Sequence, residues 1–292
     1  MLRTALGLLP LTFAAVACGS DPATPEPPAQ QTEPAKCEAG PGYVELDYPK
    51  RALGNVTVTV RTLDAAPAAD ALVEVCGIDV CTRPAYTDER GDVSVSVQEP
   101  TTKPALKYGD AFTYGELAIL FDGDEDGTDF GTVYTPRLPV TGAPILPGAR
   151  AESGGVVLTL ADNGRVELDP FPPYDTEDGR ALRAAELPRA RFPSGLDHGA
   201  NLELVFALAP LGARLCPSAA LELPNSAGWE PGTSVEFLLQ GLDAGTDAGA
   251  QLFAPYGEWQ PIGTGAVDAT GERLVLTGGA LPVISNVGVR RL

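Results

Sequence analysis

The sequence predicts an all-β protein, and three observations carry that prediction. Glycine and proline are abundant, 33 and 28 of 292 residues, and each breaks or weakens a helix interior. They fall between short apolar runs, which is how turns punctuate strands. Two of those runs alternate strictly, Val56-Thr57-Val58-Thr59-Val60 and Val93-Ser94-Val95-Ser96-Val97. A period of two places valine on one face of a strand and hydroxyls on the other.

From the N-terminus, Arg3 precedes an apolar stretch at 5–17 that is too short to remain in a bilayer as a spanning helix. Residues 1–17 therefore read as a signal peptide. Its end, Ala15-Val16-Ala17-Cys18, resembles the lipobox of bacterial lipoproteins, with Ala15 where that family usually has leucine. The resemblance implies cleavage before Cys18 and acylation of that cysteine, with palmitate-type chains. Residues 18–42 are rich in Pro, Ala, Thr, Glu and Gln, a composition that buries no core and suits a flexible tether. Each buried lipid methylene contributes about 0.8 kcal/mol, so several chains hold a protein durably where one does not. Gly19 and Ser20 lack the aspartate that retains enterobacterial lipoproteins in the inner membrane. The outer membrane is the expected location.

The formal net charge is -19, which disfavours nucleic acid and anionic headgroups because both need a positive field. Cations or basic partners suit it better. Of five cysteines, Cys18 is assigned to lipid, leaving Cys37, Cys76, Cys81 and Cys216. An even number in an exported chain reads as two disulfides with three possible connectivities. The expected pairing is a local Cys76–Cys81 loop and a long-range Cys37–Cys216 staple. A metal site at these cysteines lacks the usual spacing and histidine support.

After the tether the length suits two modules, both expected to be antiparallel β-sandwiches. The first, residues 43–147, opens on the Val56 run and continues through Ala71-Leu72-Val73-Glu74-Val75. It then reaches the turn Thr87-Asp88-Glu89-Arg90-Gly91-Asp92-Val93, in which Asp and Gly are turn formers. This order resembles the carboxypeptidase regulatory-like, or transthyretin-like, β-sandwich family. The resemblance implies a structural or binding accessory with no reaction of its own. In the second module, residues 148–292, candidate strands lie at 156–160, 166–168, 202–208, 221–223, 235–239, 274–276 and 283–289. Only 181–187 has helical propensity. The segment LVFALAPLGARLCPSAALELPNSA, ending at Ala227, resembles the ZU-five domain of ankyrins and netrin receptors. Gly212 is expected to supply a turn, and Pro217 and Pro224 to end strands. That resemblance implies a protein-interaction module without an active site.

Three constellations bear on chemistry. Asp122, Asp124 and Asp126 alternate around Gly123 and Gly127, as in the first half of a calcium loop, but Val133 stands where a bidentate Glu would close it. The loop is either a weak calcium site completed by carbonyls, waters or a distant acid such as Glu116, or a solvated acidic turn. Ser194, Asp197 and the single histidine, His198, are crowded into one loop; triad members meet in space rather than in sequence, so this reads as a surface loop. Trp229 and Trp259 either stack a ligand at a rim or close a core edge. These features favour a non-catalytic envelope lipoprotein, held to the membrane by lipid, that presents its modules to an envelope protein or glycan. A calcium-assisted adhesin or glycan binder is the alternative.

Overall fold

In the computed structural model the described residues are 36–38, 40, 48–121, 128–168, 174–242 and 253–292. Residues 1–35, with Cys18, and the loop aspartates Asp122, Asp124 and Asp126 lie outside them. The protein is all-β. The N-terminal half carries β1 (Lys50–Arg51), β2 (Gly54–Thr62), β3 (Leu72–Cys76), β4 (Ala85–Tyr86), β5 (Asp92–Val97), β6 (Thr101–Thr102), β7 (Ala105–Tyr108), β8 (Leu117–Leu120) and β9 (Thr128–Thr135). Two sheets, β5-β2-β9 and β4-β3-β7-β8, enclose one core, while β1 and β6 form a short separate ladder.

The strict alternation does what a period of two requires. Val56, Val58 and Val60 of β2 and Val95 and Val97 of β5 are buried, while Thr57, Ser94 and Ser96 are exposed. Across the core these valines meet Val73, Val75, Leu106, Tyr108, Leu117 and Ile119. One pairing departs from the antiparallel expectation: β9 runs parallel to β2. It follows β8 of the opposite sheet, and a strand arriving by such a crossover is free to enter parallel.

The turn before β5 shows why its residue types are needed. Buried Thr87 accepts from Ala71 N at 2.9 Å and donates to Ala68 O. Asp88 Oδ1 accepts from the N–H groups of Arg90 and Asp92 at 2.8 and 2.9 Å. Gly91 has φ +80°, and a Cβ there would lie 2.3 Å from Val60 O. Only glycine combines that backbone with that approach.

The C-terminal half carries β10 (Arg150–Ser153), β11 (Val156–Thr159), β12 (Arg165–Glu167), β13 (Arg183–Leu187), β14 (Leu204–Ala209), β15 (Arg214–Pro224), β16 (Ser234–Gln240), β17 (Trp259–Val267), β18 (Arg273–Leu276), β19 (Leu281–Val283) and β20 (Val287–Arg291). They join in one sheet of order β10-β11-β15-β18-β17-β16-β20-β14-β13, with β12 and β19 also paired to β15. The sheet rolls so that its flanks face each other across a core including Leu158, Phe206, Leu221, Phe237, Leu274 and Val287. Its two end strands meet where Ala184 N of β13 donates to Ser153 Oγ of β10 at 3.3 Å.

Two local expectations are corrected here. Residues 183–187 form strand β13, paired from Arg183↔Ala209 to Leu187↔Val205; an apolar edge available for pairing outweighs weak helix propensity. Pro217 does not end a strand. It lies inside β15, where the ladder with β19 is irregular between Arg214 and Ala219 and needs no N–H from it. Pro224 does end β15, and Gly212 turns with φ +75°.

The two halves share buried surface. β14 is buried on both faces: Leu204, Phe206 and Leu208 point into the rolled sheet, and Val205 joins the core of the N-terminal half with Leu202, Leu238 and Trp259. The outer face of β7 and β8 packs Ala105, Ala118 and Leu120 against Ala209, Leu242 and Tyr256. Three side-chain donors inside this contact reach backbone carbonyls of the N-terminal half, as burial demands. Gln240 Nε2 donates to Ala118 O at 2.9 Å, Asn286 Nδ2 to Glu116 O at 2.8 Å, and Tyr256 Oη to Cys76 O at 3.0 Å.

Candidate functional site

The open side of the N-terminal sandwich carries a groove of about 590 Å³ between β5 and the segment around β4, lined among others by Cys81, Arg83, Ala85, Ser94, Ser96 and Thr101. Its origin is a sheet edge. β5 ends its sheet, with β2 on one side and no described strand on the other. Val60 N donates to Gly91 O at 2.7 Å, which sets the phase of the ladder: Val93, Val95 and Val97 face β2 with their backbone groups. The N–H and C=O groups of Ser94 and Ser96 point outward, because successive residues of an antiparallel strand alternate between the two edges. Outward amides beside partly buried Ala85 and buried Val95 and Val97 make a place where an extended segment can pair.

One wall of the groove is a braced loop. The Cys76–Cys81 disulfide closes it, and Gly77 N donates to Val80 O at 2.8 Å. Thr82 N donates to Val75 O at 2.9 Å, and Ile78 N to Thr102 O at 3.1 Å. Asp79 accepts from Thr102 N at 2.9 Å and Thr102 Oγ1 at 2.8 Å, and pairs with Lys50 Nζ at 3.0 Å. Partial desolvation opposes ionisation of Asp79, but the Thr102 amide, Lys50 and the Thr102 hydroxyl outweigh it and hold the carboxyl at about 2. Val80 and Tyr86 on this side are among the exposed large hydrophobic residues.

The other cysteines pair as Cys37–Cys216, separated by 179 positions, so the connectivity favoured from the sequence is present. Glu116 is engaged by Lys107 Nζ at 2.8 Å. His198, at φ +40°, lines a hollow of about 230 Å³ with Tyr48, Arg51, Lys103, Phe121 and Glu258. Trp259 is buried and donates through Nε1 to Leu196 O at 2.7 Å; Trp229 is half-buried against the C-terminal core with Arg291 over its ring at 5.6 Å. Both tryptophans pack. The groove is not legible in the sequence, where its one trace is the five-position spacing of Cys76 and Cys81, the pair that braces its wall.

No protein-family model matches the chain, and no curated protein matches it. Among solved structures the chain is similar to BcpA, the major pilin subunit of Bacillus cereus. The identity is 10%, covering 82% of this chain and 95% of that one, with a TM-score of 0.23. A substituted form of the same subunit gives 12% identity, 82% and 87% coverage and the same TM-score. At that score the likeness bears on neither fold nor role. The resemblances to the transthyretin-like and ZU-five families rest on their motifs.

Proposed function

We propose that this chain is a non-catalytic envelope lipoprotein, anchored through Cys18 and probing its surroundings with the β5 edge, where it pairs with an extended segment of another envelope protein. The observation that carries this reading is the outward row of Ser94 and Ser96 backbone groups above the groove. An unguarded edge of this kind invites strand addition, and natural sheets usually cover or charge it.

Ser96→Pro tests the edge. Proline removes an N–H that β2 does not use, so the sandwich tolerates it as edge strands do. Affinity capture from envelope extract with a soluble form beginning before Cys37 is expected to yield a partner that the Ser96→Pro form loses while melting within a few degrees of the parent. Equal capture by both forms would sink the edge reading. The anchor is tested separately: Cys18→Ser is expected to move the protein from the membrane fraction or leave it uncleaved, because no thioether can form. Normal maturation with retention in membranes would overturn it.

A second reading, a calcium-assisted adhesin or glycan binder, is favoured by the alternate carboxylates of Asp122, Asp124 and Asp126 in the segment joining β8 to β9. A cation bound only by the folded chain stabilises it by mass action. Under this reading millimolar calcium raises the melting temperature more than equal magnesium does, and Asp124→Asn with Asp126→Asn removes the gain. Equal shifts with both ions would leave only salt screening.

A further inference from the structure

The two disulfides stand in different surroundings. Cys37–Cys216 closes a long loop, and the acid beside it, Glu167, is engaged by Arg165 at 2.6 Å and Arg214 at 3.8 Å. Cys76–Cys81 closes a loop of five positions that Thr82, Ile78, Gly77 and Asp79 already hold by hydrogen bonds. Short loops gain the least from a crosslink, and this one is fixed without it. Its two ends differ as well. Cys76 is fully buried, whereas Cys81 is exposed and lines the groove.

A carboxyl completes the arrangement. Glu74 Oε2 lies 3.8 Å from Cys76 Sγ, and a Glu74 carboxylate oxygen and the sulfurs of Cys76 and Cys81 all fall within 4.8 Å of one another. Burial pushes the Glu74 carboxyl upward; Lys107 opposes the rise and Glu116 adds to it. A carboxyl whose burial favours the protonated form thus stands beside the sulfur that is hidden from water.

We propose that Cys76–Cys81 is a thiol–disulfide exchange site for cysteine thiols that reach it through the groove. A substrate thiol that has lost its proton to solvent attacks Cys81 Sγ, the exposed sulfur. The Cys76–Cys81 bond breaks, its electron pair passes to Cys76 Sγ, and Glu74 gives its proton to that sulfur. The product is a mixed disulfide between Cys81 and the substrate, a Cys76 thiol and an ionised Glu74. Without the donor the leaving thiolate would be an unpaired charge in an apolar interior, which is costly. Exchange rates follow the attacking thiolate, the leaving group and access, and this geometry supplies the last two.

The reading goes beyond strand pairing, and reduced glutathione, too short to need the β5 edge, tests it apart from that pairing. The oxidised full-length chain is incubated with glutathione near neutral pH, quenched with acid, and mapped by mass spectrometry. The adduct is expected on Cys81 and to form at least about tenfold faster than any on Cys37 or Cys216, given the difference in access. Glu74→Gln, nearly isosteric, is expected to slow the Cys81 adduct by about 100-fold, the scale of a lost general acid, and to leave the Cys37–Cys216 rate unchanged. That second rate reports on folding, since an unfolded chain would expose both bonds. Equal rates at the two disulfides, an adduct on Cys76, or an unaltered Cys81 rate in Glu74→Gln would each overturn the proposal.

Discussion

Replacing Cys37 by Ser together with Cys216 by Ala is expected to lower the unfolding free energy by about 3–5 kcal/mol, read from denaturant midpoints under non-reducing conditions. The bond joins positions 179 apart, so it removes a large share of the conformations open to the unfolded chain. In the chain-entropy account the effect grows with the logarithm of the loop, which places this crosslink near the top of the usual range. Native contacts at the same place are modest. Arg214 Nη2 donates to Glu38 O at 3.0 Å in an exposed position, and the Arg165 and Glu167 pair beside Cys37 is partly exposed. These contacts hold the segment only weakly once the bond is gone. The variant should also show a steeper denaturant dependence, because its unfolded state is less compact. A loss below about 1 kcal/mol would mean that residual structure in the unfolded chain already restrains this loop. Opening Cys76–Cys81 in the same way should cost less, since its loop spans five positions.

Where the sequence was informative, it was so through features whose physics is local. The Val56 and Val93 runs became β2 and β5 in register, Val56↔Val95 and Val58↔Val93, because alternation alone decides which face is buried. The Thr87 to Gly91 turn was readable because each residue does its work within a few positions. Cysteine parity left three connectivities, and spacing favoured the one observed. Features decided by distant partners were not readable. β13 is a strand because β14 offers it an edge, and nothing within residues 181–187 announces that edge. Pro217 sits inside a strand because β15 changes partners there, from β12 and β19 towards β11 and β18. The groove depends on which strand ends a sheet. Glu74 appeared as one outward residue of an alternating run, and only the paired strands bring Cys76, Lys107 and Glu116 around it.

Arg183 is the other residue whose loss should be felt most, and its side chain was part of the stretch read as helical. It is 1% exposed, a burial that a guanidinium tolerates only when its donors are matched. Nε donates to Pro139 O at 3.1 Å, Nη1 to Asp178 O at 2.6 Å, and Nη2 to Val140 O at 3.3 Å and Asp178 Oδ2 at 2.6 Å. The planar group lies 4.5 Å from the centre of the Phe112 ring. One side chain thus joins the N-terminal half, the connection between the halves and the turn leading into β13. Arg183→Met keeps most of the volume and removes every donor. The three nearest backbone carbonyls then lose a charged partner, at about 1–3 kcal/mol for each that stays buried, so a total loss of about 3–5 kcal/mol is expected after partial hydration. Arg183→Lys should recover less than half, because an ammonium cannot reach three separated acceptors as a fork does. Asp178 has a side chain 57% exposed, so Asp178→Asn should cost no more than about 1 kcal/mol. Denaturant unfolding of the three variants separates the roles. A large Asp178→Asn effect would assign the stability to the ion pair, and an Arg183→Met loss below about 1 kcal/mol would show that water replaces the guanidinium at all three carbonyls.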